Sequence, residues 1–164
     1  MGDFDDLLAA NRDFAATFDL SGFDGIARAG VAIVTCMDSR IDPLRLIGLK
    51  PGDAKIFRNP GGRVTPQALE ALVLGSHLLH VERILVVPHT RCAMASGEDA
   101  DITASVKEAT GEDISDMRLG ASTDQRARLQ EDVTLLREHP HVKGRAQVGG
   151  FLYDVDTGAL TQVL

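Results

Sequence analysis

Two short segments of this 164-residue chain carry the residue types that do chemistry. One is Cys36-Met37-Asp38-Ser39-Arg40, the other His89-Thr90-Arg91-Cys92, and together they hold both cysteines. Two thiolates and an imidazole make three ligands of the kind Zn²⁺ prefers, with a fourth position left for a carboxylate, water or substrate. His89 and Cys92 are three apart, which lets both side chains face one point on a tight turn. No second Cys-x-x-Cys pair is present, so the spacing is not that of a zinc finger. The competing reading is a pair of buried, inert cysteines. The polar and charged residues around both cysteines favour a partly open site.

Asp38 and Arg40 lie two residues apart, and in extended chain their side chains point the same way. An arginine there keeps the aspartate ionised and holds its orientation through charge-assisted hydrogen bonds. An ordinary surface ion pair would have the same spacing. Beside a metal, Asp38 has two roles open to it. It can be the fourth zinc ligand, or it can leave the metal for Arg40 and accept a hydrogen bond from a zinc-bound water.

Both segments need elements that bring them together. Val31 to Thr35 reads as a buried strand ending at Cys36, Ala54 to Arg58 as a second strand, and Ile84 to Val87 as a third that delivers His89. Pro43 can open a short helix over 43–48, and Lys50-Pro51-Gly52-Asp53 is a turn. Thr65 followed by Pro66 is an N-cap with proline at the first helical position, opening a helix that runs to about His80. Further helices are predicted over 101–110, stopped by Gly111, and over 123–138, starting at the box Ser122-x-x-Gln125. Ala146 to Asp154 and Leu160 to Leu164 read as closing strands.

At the N-terminus, Phe4, Leu7, Leu8, Phe14 and Phe18 recur at helical spacing, which predicts an amphipathic helix over 3–19 capped by Asp3. The other histidines, His77, His80, His139 and His141, read as surface or packing residues. Strands alternating with helices, and strands apolar throughout, point to a single α/β domain over 1–164. Its predicted core is a mostly parallel central sheet of four to five strands with helices on both faces. In such sheets ligands bind beyond the carboxyl ends of the strands, where Cys36 and His89 both fall.

A net charge of −7 leaves no basic face for nucleic acid. No apolar run approaches the roughly 18 residues of a membrane span. The acidic start, with Asp3, Asp5 and Asp6, lacks the order of a signal peptide. A cytoplasmic protein acting on a small molecule is the expectation.

Cys-x-Asp-Ser-Arg, then Arg58-Asn59-x-Gly61-Gly62, then His-x-x-Cys, in this order, resembles the β-class carbonic anhydrases, in their short bacterial form. The resemblance spans roughly residues 30–95. It implies Zn²⁺ on Cys36, His89 and Cys92, with Asp38 and Arg40 as a gating dyad and Asp38 as an alternative ligand. Asn59, Gly61 and Gly62, after Arg58, would line the substrate pocket. The implied activity is reversible hydration of carbon dioxide to bicarbonate and a proton by zinc-bound hydroxide. Carbonyl sulfide or carbon disulfide hydrolysis, or a non-catalytic bicarbonate-sensing module, are its rivals. A homodimer or dimer of dimers is implied, with the N-terminal helix within residues 1–22 on the partner. Pro60, Arg91 and Ala93 depart from the family's usual alanine, aspartate or glycine, and glycine. They bear on the shape of the pocket and leave the ligands intact.

Overall fold

The computed structural model describes residues 3–164. Its centre is a five-stranded sheet of β1 (Val31–Cys36), β2 (Ala54–Asn59), β3 (Arg83–Val87), β4 (Gln147–Tyr153) and β5 (Leu160–Gln162), in the order β2-β1-β3-β4-β5. The first four strands are parallel, and β5 returns antiparallel to β4. All six residues of β1 are buried, as expected of a strand with neighbours on both edges and cover on both faces. That is why Val-Ala-Ile-Val-Thr-Cys shows no alternation.

One face of the sheet holds the larger core. Ala32, Val34, Ile84, Val86 and Val148 pack there against Ala68 and Leu72 of α2 (Pro66–Leu78) and Leu129, Val133 and Leu136 of α4 (Gln125–Glu138). On the other face, Val31, Ile33 and Val87 lie under a 3₁₀ turn (Arg45–Ile47) and its flank at Leu49. Strand register aligns Cys36 with Asn59 on β2 and Thr35 with Val87 on β3. The three strands therefore end together, and the loops that follow them meet at one edge.

Most local signals act as predicted. Thr65 Oγ1 accepts from the Ala68 N–H at 3.4 Å with Pro66 behind it, and Gly111 closes α3 (Asp99–Thr110) in a left-handed conformation at φ 80°. Four expectations need correction. The cap of α4 is Asp124, whose Oδ1 accepts from Ala127 N at 2.9 Å. Ser122 stands two residues too early, and its Oγ takes only the Asp124 N–H, at 3.2 Å.

Helix α3 starts earlier than predicted, because Glu98 and Asp101 form a reciprocal capping box ahead of it. The short helix at Pro43 is a 3₁₀ turn further on, held by Asp42 Oδ1 on Arg45 N at 3.1 Å. Helix α1 spans only Asp5–Ala16, with Phe4 and not Asp3 at its cap position. None of its residues is buried, so its stripe of Phe4, Leu7, Leu8 and Phe14 faces outward. Met1 and Gly2, the start of the segment expected on a partner, lie outside the described residues.

Candidate metal centre

Cys36 is the last residue of β1, and His89 follows β3 by two residues. Between β3 and the next 3₁₀ turn, Pro88 to Arg91 bends the chain back on itself, with Arg91 in the left-handed region at φ 53°. This bend returns Cys92 to the side of His89. The Cys36 and Cys92 sulfurs are 3.9 Å apart. One donor atom from each of Cys36, His89 and Cys92 lies within 4.8 Å of the others, and all three residues are buried. Parallel strands ending in register thus join residues that are far apart in the chain.

The histidine is set up as a ligand. Its Nδ1 stands 2.8 Å from the Thr90 carbonyl, which can only accept, so the ring proton sits on Nδ1. That leaves a lone pair on Nε2. Nε2 is fully buried and has no hydrogen-bond partner among the described residues. Buried polar atoms are almost always satisfied, so an orphan beside two sulfurs is in the state a metal ligand requires.

Electrostatics at the sulfurs agree. The S–H of Cys92 donating to Cys36 holds the Cys36 thiol well below its ordinary value; burial opposes this, and His89 and the Gly61 N–H assist. Cys92 moves up in turn, because Cys36 holds its proton and burial disfavours a second charge. The pair releases one proton readily and keeps the other, so a doubly ionised pair needs a cation. For His89, burial is the largest influence and works against the charged ring, but Cys36, the Thr90 carbonyl and Asp38 together raise the pKa.

Asp38 is turned away from this centre. Arg40 Nε donates to Asp38 Oδ1 at 2.9 Å and Nη2 to Oδ2 at 2.7 Å, and the Arg40 backbone N–H adds a third bond to Oδ1 at 2.9 Å. This two-pronged grip, with Arg40's charge behind it, holds the carboxyl well below the usual carboxylate range. Oδ2 still lies 3.7 Å from His89 Nε2, so the carboxylate borders the metal position without filling it.

The glycine loop after β2 braces the cysteine strand. Arg58 Nε donates to the Cys36 carbonyl at 2.9 Å and Nη2 to the Asp38 carbonyl at 2.6 Å. The Asn59 amide is engaged on both sides by the Arg63 backbone, at 2.7 and 2.8 Å. Gly61 N donates to Cys36 Sγ at 3.3 Å. Gly62, at φ 68°, lies so close that a Cβ would meet Cys36 N and Thr35 C at 2.9 Å.

A second ring of contacts had no signal in the sequence. Gln125 Nε2, at the start of α4, donates to the His89 carbonyl at 3.0 Å. Thr90 N donates to the Tyr153 carbonyl at 2.9 Å. The sequence marks Gln125 only as half of a helix-capping box and marks Tyr153 not at all; both reach the site only because α4 and β4 pack beside β3.

Comparison with known proteins places this geometry in a family. The carbonic anhydrase family matches residues 31–160. The chain is 34% identical to β-carbonic anhydrase 1 of Mycobacterium tuberculosis, over 97% of this chain and 96% of that one. It belongs to the β-class carbonic anhydrases. The crystal structure of carbonic anhydrase from Streptococcus mutans superposes with a TM-score of 0.88 at 34% identity, covering 100% of this chain and 99% of that one. Carbon disulfide hydrolase from Acidianus is a more distant relative, 29% identical over 78% of this chain and 74% of its own.

For a β-class carbonic anhydrase, the three departures from the usual motif are accommodated locally. Pro60 lacks an N–H, but the amide on Cys36 Sγ is that of Gly61, the next residue. Positive φ in the second motif falls at Arg91 and not at Ala93. Arg91 turns its carbonyl toward Arg40 Nη2, at 3.4 Å, while its guanidinium pairs with Asp156.

Proposed function

We propose that this β-class carbonic anhydrase holds Zn²⁺ on Cys36, His89 and Cys92, and catalyses the reversible hydration of carbon dioxide to bicarbonate and a proton. The observation that carries this reading is the orphaned His89 Nε2, facing two sulfurs while Asp38 is held aside by Arg40. Bound there, zinc lowers the pKa of water toward roughly 7 and supplies the hydroxide nucleophile at neutral pH.

The chain's own residues do the rest. Asp38 Oδ2, ionised and fixed by Arg40, is an acceptor beside the metal position. It would accept the hydrogen bond of the hydroxyl supplied there and so orient that group toward the carbon. An acceptor that is never protonated at neutral pH also selects a hydroxyl that carries a proton to donate. Were Asp38 released from Arg40 it could take the fourth ligand position beside Cys36, His89 and Cys92 and close the site, so Arg40 would act as the catch of the gate. Arg58 keeps the Cys36–Asp38 main chain in place while Asp38 moves.

Carbon disulfide and carbonyl sulfide are linear like carbon dioxide and make the second substrate reading, which the Acidianus relative, by name a carbon disulfide hydrolase, supports for the first of them. Zinc content, stopped-flow carbon dioxide hydration and sulfide release from both sulfur substrates, measured on one preparation, decide the matter. Stoichiometric zinc with fast hydration and slow sulfide release is expected. Zinc with no turnover would make the protein a sensing module, and faster sulfide release would transfer it to the hydrolases.

The apolar face of α1 supports a homodimer or dimer of dimers, with the segment 1–22 lying on the partner. A stripe of phenylalanine and leucine on a helix with no buried residue needs a second surface. Among the described residues no helix is long and apolar enough to cross a membrane. Two unpaired cysteines in a metal position suit the reducing cytoplasm.

A further inference from the structure

Three polar side chains are buried among the described residues: Thr35, His89 and Asp132. His89 belongs to the metal centre, and Thr35 donates to the Val87 carbonyl at 2.7 Å to tie β1 to β3. Asp132, on α4, has no part in the chemistry above. A carboxylate that is only 4% exposed must be heavily compensated, and its partners all come from one place. Arg63 Nε donates to Oδ2 at 2.6 Å, Arg63 Nη2 to Oδ1 at 3.0 Å, and Val64 N to Oδ2 at 3.2 Å.

Arg63 is the last residue of the glycine turn whose amide faces the cysteine. Asn59 grips the Arg63 backbone from inside the turn, and Asp132 grips its side chain from across the core. The turn is thereby clamped at its end, two residues after the Gly61 N–H that donates to Cys36 Sγ at 3.3 Å. Gly61, Arg63 and Asp132 also line a cavity of about 20 Å³, room for about one water. A turn that slackened here would let water compete for the sulfur.

We infer that Asp132 is a positioning residue for the metal centre: through its fork on Arg63 it holds the Gly61 N–H on the Cys36 thiolate. The hydrogen bond stabilises negative charge on a ligand sulfur, and so sets the donor strength of Cys36 and the affinity of the metal. Contacts of this kind around metal ligands commonly change affinity about 10- to 100-fold. The inference rests on Cys36, His89 and Cys92 binding a metal, as proposed above, and not on carbon dioxide being the substrate.

Cobalt(II)-substituted protein tests it, because thiolate-to-cobalt charge-transfer absorption reads sulfur donor strength without turnover. Losing an N–H to sulfur bond raises the energy of the sulfur lone pair and moves the band to longer wavelength. Asp132→Asn should show that shift and, because the slackened turn no longer holds the Cys36 sulfur in place, bind zinc roughly tenfold more weakly in competition with a chelator. Arg63→Lys keeps the charge but loses the fork, and should shift the band in the same direction by less. If Asp132→Asn does not fold, Arg63→Lys decides alone. A folded variant with lowered Tm, an unmoved band and wild-type zinc affinity would reduce the pair to a structural strut and overturn the inference. Wild-type protein that binds neither cobalt nor zinc would instead sink the metal reading beneath it.

Discussion

Arg40 holds both carboxylate oxygens of Asp38, at 2.9 and 2.7 Å, and so parks the carboxylate 3.7 Å from His89 Nε2. The residue best placed to close the metal position is thus held beside it by a neighbour two positions along the chain. In the proposed mechanism that grip keeps the site open, which gives a direct test. Arg40→Ala frees Asp38 to turn onto the metal, and kcat/KM for carbon dioxide should fall by roughly 100-fold at neutral pH with zinc content unchanged. Asp38→Ala should also keep zinc and lose activity. Loss of zinc from Asp38→Ala would make Asp38 chiefly a ligand.

The pH dependence follows from the same pair. Arg40 depresses the folded-state pKa of Asp38 below its unfolded value near 3.9. The pair's contribution to stability is then present above the unfolded pKa, and is lost only as pH falls through the lower folded one. Asp38 stays ionised throughout the neutral and alkaline range. Activity should therefore rise between pH 6.5 and 9 by ionisation of the nucleophile alone, with thermal stability changing little from this pair. A flat activity profile over that range, in assays saturated with buffer, would contradict the mechanism.

Gly62 has no room for a side chain. A Cβ there meets Cys36 N and Thr35 C at 2.9 Å, both backbone atoms of the strand that presents the cysteine. Its φ of 68° adds strain for any other residue. Gly62→Ala should lower stability by roughly 2 kcal/mol or more and weaken zinc binding by displacing Cys36. Urea unfolding and metal competition measure the two effects, and wild-type values in both would show that the strand end yields freely.

Helix α1 should matter for assembly and not for the core. Because none of its residues is buried, a charge on its apolar stripe leaves the rest of the fold intact. If the proposed dimer rests on α1, Leu7→Glu with Phe14→Glu is expected to give a monomer by light scattering, with far-ultraviolet circular dichroism nearly unchanged. An unaltered mass would remove α1 from the interface.

How much of this could be read along the chain depends on the range of the forces involved. Strand β1 was legible because a strand buried on both faces is apolar throughout, and α2 because Thr65 and Pro66 act on the turn that follows them. The cap of α4 lies two residues beyond the predicted cap. Serine and aspartate both cap helices, and only the bend of the chain shows that Asp124, not Ser122, directly precedes the first turn.

Residue types alone name the candidate donors, since Cys36, His89 and Cys92 carry metal-binding chemistry in their side chains, and the neighbours Asp38 and Arg40 lie within reach in any extended loop. Everything else about the site arises from packing. It turned Asp38 onto Arg40, left His89 Nε2 without a partner, aimed the Gly61 amide at Cys36 and buried Asp132 on Arg63. Each of these joins residues on different elements or selects one of several local partners. Such choices are made by strand register and helix packing, which no short stretch of sequence contains.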